Sequence, residues 1–346
     1  MPTSFRSDND AGASPQILAA LAACNEGPAY PYGADEWTRR AEAALARVFE
    51  RAVGVLLVST GTAANSLALA AMSPPWGSIL CHRFAHSNTD ECGAPEFFGA
   101  GLKMVASASP GGRLDAAVLA RELASGRGDV HAVQPSGVTL TQSTEEGQIY
   151  GREEVAAIGR VCREAGVPLH MDGARFANAV VAAGCTPAEL TWKAGVDLLS
   201  FGATKNGALG AEALIVFNES LAGSLPFRRK RAGHLLSKMR FMAAQMDAYL
   251  HEDLWLRNAG HANDMALRLA DGLAMVRGVE MLTPPVTNIL FVKLPADLIA
   301  GLLSRGFDFY HGGRWDAGVA RLVTSFRTTP QQVDEFLAAA RDIRKT

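Results

Sequence analysis

Three short stretches carry residue types able to do chemistry together. In Ser59-Thr60-Gly61-Thr62-Ala63-Ala64-Asn65, a glycine and hydroxyl residues stand between a β-branched run (Val53 to Val58) and an alanine-rich helical stretch ending at Met72. Such a helix start offers unpaired N–H groups and a partial positive charge, which suits a phosphate. Gly61 permits close backbone approach and Thr62 adds a hydroxyl, although the same residues would also serve a plain N-cap. His170-Met171-Asp172-Gly173-Ala174-Arg175 sets Asp172 at the carboxyl end of a short apolar strand, where open α/β sheets bind ligands. A carboxylate at that depth needs a charged partner, either a protonated ligand nitrogen or Arg175. In Ser200-Phe201-Gly202-Ala203-Thr204-Lys205-Asn206-Gly207, an apolar strand ends near one of only seven lysines. Desolvation and nearby cations can make an amine held there nucleophilic, whereas an ordinary loop lysine would meet solvent.

The elements that must position these residues alternate strand and helix from about Trp37 to Phe217. Glu153 to Ala165 puts Val155, Ile158, Val161, Cys162 and Ala165 on one helical face, and Gly166 stops it. Val167 to Met171, Val196 to Phe201 and Leu214 to Phe217 read as buried strands. This alternation predicts a mostly parallel α/β sheet covered by helices on both faces. Asp172 and Lys205 are one αβ unit apart, so they are expected to end neighbouring strands at one rim. After a helical stretch from about Leu225 to Val276 the order becomes ββαββα. Its strands are Val279 to Leu282, Asn288 to Leu294, Phe307 to Tyr310 and Val319 to Ser325, with helices at Ala296 to Ser304 and Pro330 to Ile343. The expected organisation is an arm (1–34), a large domain (35–255) and a smaller C-terminal α+β domain (256–346).

With 346 residues, 48% hydrophobic and a formal net charge of −2, the chain has material for large cores and no broad basic surface for nucleic acid. The one basic run is Arg228-Arg229-Lys230-Arg231. Five cysteines without CxxC or Cys/His spacing argue for reduced thiols and against a metal site. No secretory h-region and no apolar run long enough to span a bilayer is visible, which points to the cytoplasm. The dinucleotide, P-loop and HExxH patterns are absent.

Together, a phosphate cup, a partner for a pyridine nitrogen and an amine in chain order point to pyridoxal phosphate (PLP). Arg6-Ser7-Asp8, Tyr32-Gly33, Gly61 to Asn65, Ala85-His86, Asp90 to Phe98, His170 to Asn178, Ala188 to Lys205 and Arg321-Leu322-Val323 extend the pattern along nearly the whole chain. In these stretches the chain resembles the low-specificity L-threonine aldolases, within the fold-type I PLP enzymes.

The resemblance implies that Lys205 carries PLP as an imine and that Asp172 pairs with its ring nitrogen. Gly61 and Thr62 match the phosphate cup, and His86 matches a histidine stacked on the ring near the substrate hydroxyl. Arg175 matches a group near the ring oxygen and the substrate carboxylate. Ser7 and Arg321 match carboxylate binders, with Arg327 as the alternative to Arg321. His131 resembles a second histidine reaching the hydroxyl from a neighbouring subunit. Lys230, with Arg231, and Tyr32 match residues that reach a partner's site, so at least a dimer is implied, and a tetramer is usual. Two departures stand out: Tyr32-Gly33-Ala34-Asp35 where many relatives read Tyr-Gly-Asp-Asp, and Gln142-Ser143-Thr144-Glu145 where many read Glu-Asn-Thr-His. The implied reaction is cleavage of L-threonine or L-allo-threonine to glycine and an aldehyde, with His86, His131 or a water as base. Preference for aromatic β-hydroxy amino acids, or β-elimination on the same fold, are the alternatives.

Overall fold

Strands that are apolar on both faces are satisfied only inside a sheet covered on both sides. In the computed structural model, which describes residues 3–109, 112–313 and 315–345, seven strands form one such sheet. They are β1 (Gly54–Val58), β2 (Gly77–Cys81), β3 (Lys103–Ala106), β4 (Gln134–Thr141), β5 (Leu169–Gly173), β6 (Leu198–Gly202) and β7 (Glu212–Val216). Their spatial order is β1-β7-β6-β5-β4-β2-β3. All neighbours are parallel except β7, which runs antiparallel to both β6 and β1. The mostly parallel α/β sheet expected from the sequence is therefore present.

Two of these strands, β3 and β4, lack a distinct signature in the sequence, for physical reasons. Lys103–Ala106 is a short edge strand that opens on an exposed lysine. Gln134–Thr141 contains Pro135 and Gly137, and its register with β2 shifts between Ser78 and Ile79. His131 does not begin this strand. It lies exposed on the preceding turn, its backbone N–H on Asp129 Oδ1 at 2.9 Å.

Helices cover the sheet: α1 (Pro15–Cys24), α2 (Glu36–Val48), α3 (Gly61–Met72), α4 (Arg152–Glu164) and α5 (Phe176–Ala183). The expected long helical stretch resolves into α6 (Leu225–Arg231), α7 (Arg240–Leu250) and α8 (Leu254–Ala274). Phe49 packs edge-on to Phe201 and Phe217 in the large core. Along α8, Trp255 and Ala259 join that core, while Met265, Ala266, Leu269, Ala270 and Leu273 join a second one. The second core lies under an antiparallel sheet of β8 (Glu280–Met281), β9 (Ile289–Lys293), β10 (Tyr310–His311) and β11 (Val319–Val323), in the order β10-β11-β9-β8. It is closed by α9 (Ala296–Ser304) and α10 (Pro330–Ile343).

The segment expected as one strand, Phe307 to Tyr310, splits. Phe307–Asp308 pairs in parallel with Thr3–Ser4, and Tyr310–His311 pairs with β11. The N-terminal segment is thus not an irregular polar arm throughout. Phe5 is fully buried in the second core, 5.1 Å centre to centre from Phe336, and Ile17 is fully buried in the large one.

His170 crosslinks the sheet below the site: its Nδ1 lies 2.8 Å from Thr139 Oγ1 on β4 and its Nε2 2.9 Å from Ser200 Oγ on β6. Burial pushes its pKa down to about 4, whereas an unfolded histidine titrates near about 6.5. As pH falls through this window the unfolded chain binds a proton that the folded chain does not, so stability falls, by up to roughly 3 kcal/mol. Urea midpoints should drop between neutral pH and the acid end of the window, and a His170→Asn variant should show a shallower drop.

Candidate active site

Parallel strands of an open α/β sheet point their carboxyl ends at one rim, where ligands bind. Here that rim and the small sheet enclose a cavity of about 1080 Å³. Ser7, His86, Arg175, Lys205 and Arg321 all line it, although they come from distant parts of the chain.

Lys205 sits in a single 3-10 turn, Thr204–Asn206, directly after β6. The turn is clamped on both sides. Ala203 N–H donates to Glu212 Oε2 at 2.8 Å, and Asn206 Nδ2 donates to Tyr249 Oη and Trp255 O, both at 2.8 Å. Gly207 has φ +116°, and a Cβ there would lie 2.3 Å from Ser14 Oγ, so the turn requires glycine. Burial first, and then the Arg175 guanidinium, hold the lysine amine below its ordinary pKa. A lowered pKa raises the fraction of nucleophilic free amine.

Asp172, at the end of β5, is 4% exposed. Its Oδ1 accepts from Ala174 N–H at 3.0 Å and its Oδ2 from Asn65 Nδ2 at 2.9 Å. Both donors are neutral. The salt bridge weighed between Asp172 and Arg175 does not form: Arg175 Nε and Nη2 instead grip Asp8 at 2.7 and 2.8 Å. The Asp172 carboxylate is left without a guanidinium partner.

Asn65 continues the network. Its Nδ2 also reaches Glu91 Oε1 at 2.8 Å, and the same oxygen meets His86 Nδ1 at 2.8 Å. The bond to Glu91 raises the His86 pKa; burial opposes it and Asp172 adds to the rise. The ring is thereby fixed by Nδ1, which leaves Nε2 as the position able to meet a substrate hydroxyl.

At the start of α3 the alternatives are divided between residues. Thr60 is the N-cap, its Oγ1 accepting from Ala63 N–H at 3.1 Å. Gly61 and Thr62 are the first two helical residues, and theirs are the first N–H groups of the helix left for a ligand. A Cβ on Gly61 would meet nothing within 4 Å, so the approach is open. These residues fit PLP: a carboxylate with neutral neighbours for a protonated ring nitrogen, an amine of lowered pKa, and open helix-end donors for a phosphate. Asn65 Oδ1, buried without a partner, is consistent with a ligand completing this region.

Other sequence candidates lie elsewhere. Arg321 points from the middle of β11 into the cavity, whereas Arg327 is exposed and does not line it. His131, Tyr32 and Lys230 do not line this cavity either. Tyr32, at φ 59°, and Lys230 meet on the surface, the ammonium 5.1 Å from the ring centre. Among the described residues no group of three or more His, Cys, Asp or Glu is placed to hold a metal ion. Asp8, Asn65, Glu91 and Glu145 are site residues that spacing alone did not single out. The available signal was polarity out of place, such as Asn65 in an otherwise alanine-rich helix start.

A lysine, a deep carboxylate and an open helix end at the rim of a doubly covered sheet define a fold-type I PLP enzyme. Comparison with known proteins agrees. Residues 4–296 match the beta-eliminating lyase family. The chain is 46% identical over 344 residues to a low specificity L-threonine aldolase of Pseudomonas aeruginosa, covering 98% of this chain and 96% of the relative. It is 44% identical to another from a Pseudomonas species, covering 98% and 97%. The threonine aldolase structure from Leishmania major superposes with a TM-score of 0.92 at 30% identity, covering 99% of this chain and all of that one. An aspartate aminotransferase from Rhodobacter sphaeroides, at 18% identity and a TM-score of 0.72, shares the fold alone. The chain belongs to the beta-eliminating lyase family, as a PLP-dependent lyase of its threonine aldolase group.

Glu91→Gln weakens the hydrogen bond that most favours protonated His86 and removes the Glu91 charge with it. An NMR titration of the His86 ring should show a lower pKa in the variant than in the wild type. An unchanged pKa would mean that Glu91 does not control this histidine.

Proposed function

We propose that this enzyme cleaves L-threonine, L-allo-threonine and related L-β-hydroxy-α-amino acids between Cα and Cβ, releasing glycine and an aldehyde. The observation that carries the reading is the placement of Lys205, His86 and Arg321 around one cavity. These supply an attachment point, a hydroxyl partner and a carboxylate partner, which are the groups a β-hydroxy amino acid requires.

PLP bound at Lys205 supplies an electron sink for the pair released at Cα, with Asp172 keeping its ring nitrogen protonated. The chain's own residues do the rest. Arg321 lies on a sheet face where Ile289, Phe291, Val319 and Val323 pack together. In such surroundings a guanidinium binds a carboxylate strongly. Ser7, which lines the same cavity, is the second carboxylate partner. Arg175 contributes charge, while two of its donors are committed to Asp8. Holding the carboxylate fixes rotation about the Cα–N bond and so selects Cα–Cβ for cleavage. His86 orients the β-hydroxyl through Nε2. Contact with one hydroxyl imposes little configuration at Cβ, which supports reaction of both threonine diastereomers.

Phe84, Phe291, Tyr310 and Trp315 also line the cavity. This aromatic wall supports a second reading in which larger β-substituents such as phenyl are preferred, and relative turnover of phenylserine and threonine decides between them. His131, Tyr32 and Lys230, exposed and away from their own chain's cavity, are proposed to complete the site of a partner subunit in a homodimer or tetramer. The five free cysteines support a reducing, cytoplasmic setting. No helix of the described residues is long and apolar enough to cross a membrane.

Purified enzyme should release glycine and acetaldehyde from L-threonine without added folate. Lys205→Ala should lose the visible cofactor absorbance and trapping by borohydride; retention of both would refute the lysine assignment. Arg321→Leu should raise KM for threonine roughly 10- to 100-fold, the worth of a charge-assisted contact, while leaving the cofactor spectrum intact.

A further inference from the structure

Besides Asp172, the carboxyls of Asp8 and Glu212 act on Lys205, while those of Glu91 and Glu145 meet His86; Glu212 accepts from Ala203 N–H and does not line the cavity. Asp8 is bound to Arg175 and Glu91 to the His86 ring. Glu145 differs. Its Oε1 accepts from His86 N–H and from Thr141 Oγ1, both at 2.9 Å, and both donors are neutral. It lines the same cavity as His86, Arg175 and Lys205. It also stands where the sequence departs from its relatives' Glu-Asn-Thr-His pattern.

The charges around Glu145 come from every neighbouring element. Asp172 on β5 repels a second negative charge, and Glu146 follows it in the chain. His86, backed by Glu91, donates its backbone N–H to Glu145, and Lys205 and Arg175 line the same cavity. Cys81 and Tyr150 feel its charge, and burial pushes both up, Cys81 to about 12, so they stay neutral. Burial first, and then Asp172, raise the Glu145 carboxyl to about 7 against its hydrogen bonds. A group divided between acid and carboxylate near neutral pH is suited to general acid–base work. His86 is shifted the other way for a base: Glu91 favours its protonated form.

We propose that Glu145 is a catalytic residue of the cleavage, its carboxylate taking the proton of the substrate β-hydroxyl. The inference rests on the aldolase reading above. As the proton passes to Glu145, the O–H pair becomes the second bond of the aldehyde carbonyl. The Cα–Cβ bond breaks and its pair stays with Cα. Glu145 then passes the proton on to Cα, so that glycine leaves and the carboxylate is restored. Because the carboxylate is the working form, activity falls as pH drops through about 7.

Glu145→Gln keeps an oxygen for the His86 and Thr141 bonds but cannot titrate. With L-threonine its kcat should fall on the order of 100-fold or more, with KM little changed and the acid limb of the pH profile lost. The cofactor spectrum and borohydride trapping should match the wild type. Independently of turnover, infrared difference spectra of the wild type should show a protonated-carboxyl band that fades as pH rises through about 7 and is absent from the variant. Wild-type kcat and an unchanged acid limb in Glu145→Gln would overturn the proposal. Should that variant not take up cofactor, Glu145→Asp decides. A reduced kcat with the limb retained supports the role, and an unchanged kcat overturns it. If the wild type releases no aldehyde from threonine, the aldolase reading itself fails; if it does, a negative result falls on Glu145 alone.

Discussion

The ion pair between Asp8 and Arg175 is the interaction on which the rest of the site depends. Both groups are nearly withdrawn from water, with side-chain exposures of 2% and 12%, and their contact is bidentate. Asn288 Nδ2 adds a third donor to Asp8 at 3.0 Å. One carboxylate thus ties the N-terminal segment to the end of β5 in the seven-stranded sheet through Arg175 and to the start of β9 in the small sheet through Asn288. Burial alone would raise the Asp8 pKa, but the Arg175 guanidinium outweighs it and holds the carboxyl below its usual range. Removing one partner of such a pair leaves a buried charge unmet, at a cost of about 3–5 kcal/mol.

That pairing has a chemical consequence three residues upstream. If Arg175 turned to Asp172, the deep carboxylate would be neutralised by protein and would have little left for a ring nitrogen. Because Asp8 takes the guanidinium, Asp172 is held only by an amide side chain and a backbone N–H. The guanidinium stays near Lys205 and helps lower the pKa of its amine. One arrangement therefore keeps the Arg175 guanidinium off Asp172 and helps hold the Lys205 amine below its ordinary pKa.

Local spacing revealed this unevenly. The parallel sheet and the strand ends bearing Asp172 and Lys205 were legible because continuous apolar runs bounded by glycine have few other uses. Pro330 to Ile343 and Ala296 to Ser304 were legible to the residue, since Pro near the start and a strict apolar stripe fix a helix's frame. Strands containing Pro135 and Gly137, or opening on Lys103, were not. Their pairing is set by neighbours rather than by their own composition. In the site, individual groups were legible but their partners were not. Asp8 lies 167 positions from Arg175, and Asn65 lies 107 from Asp172. Nothing in local sequence states which of several carboxylates a buried guanidinium will choose.

The same distance explains why the histidines could not be ranked from sequence. His86 and His131 are chemically alike as letters. In the fold, one is locked by Glu91 at the rim of the cavity and the other lies on an exposed turn. His170, within the most recognisable motif of the chain, is driven out of the useful range by burial and serves as a bolt between strands. Environment and not residue type separates a proton carrier from a structural crosslink. By that criterion, the group beside His86 that burial and Asp172 leave poised near neutrality is the Glu145 carboxyl.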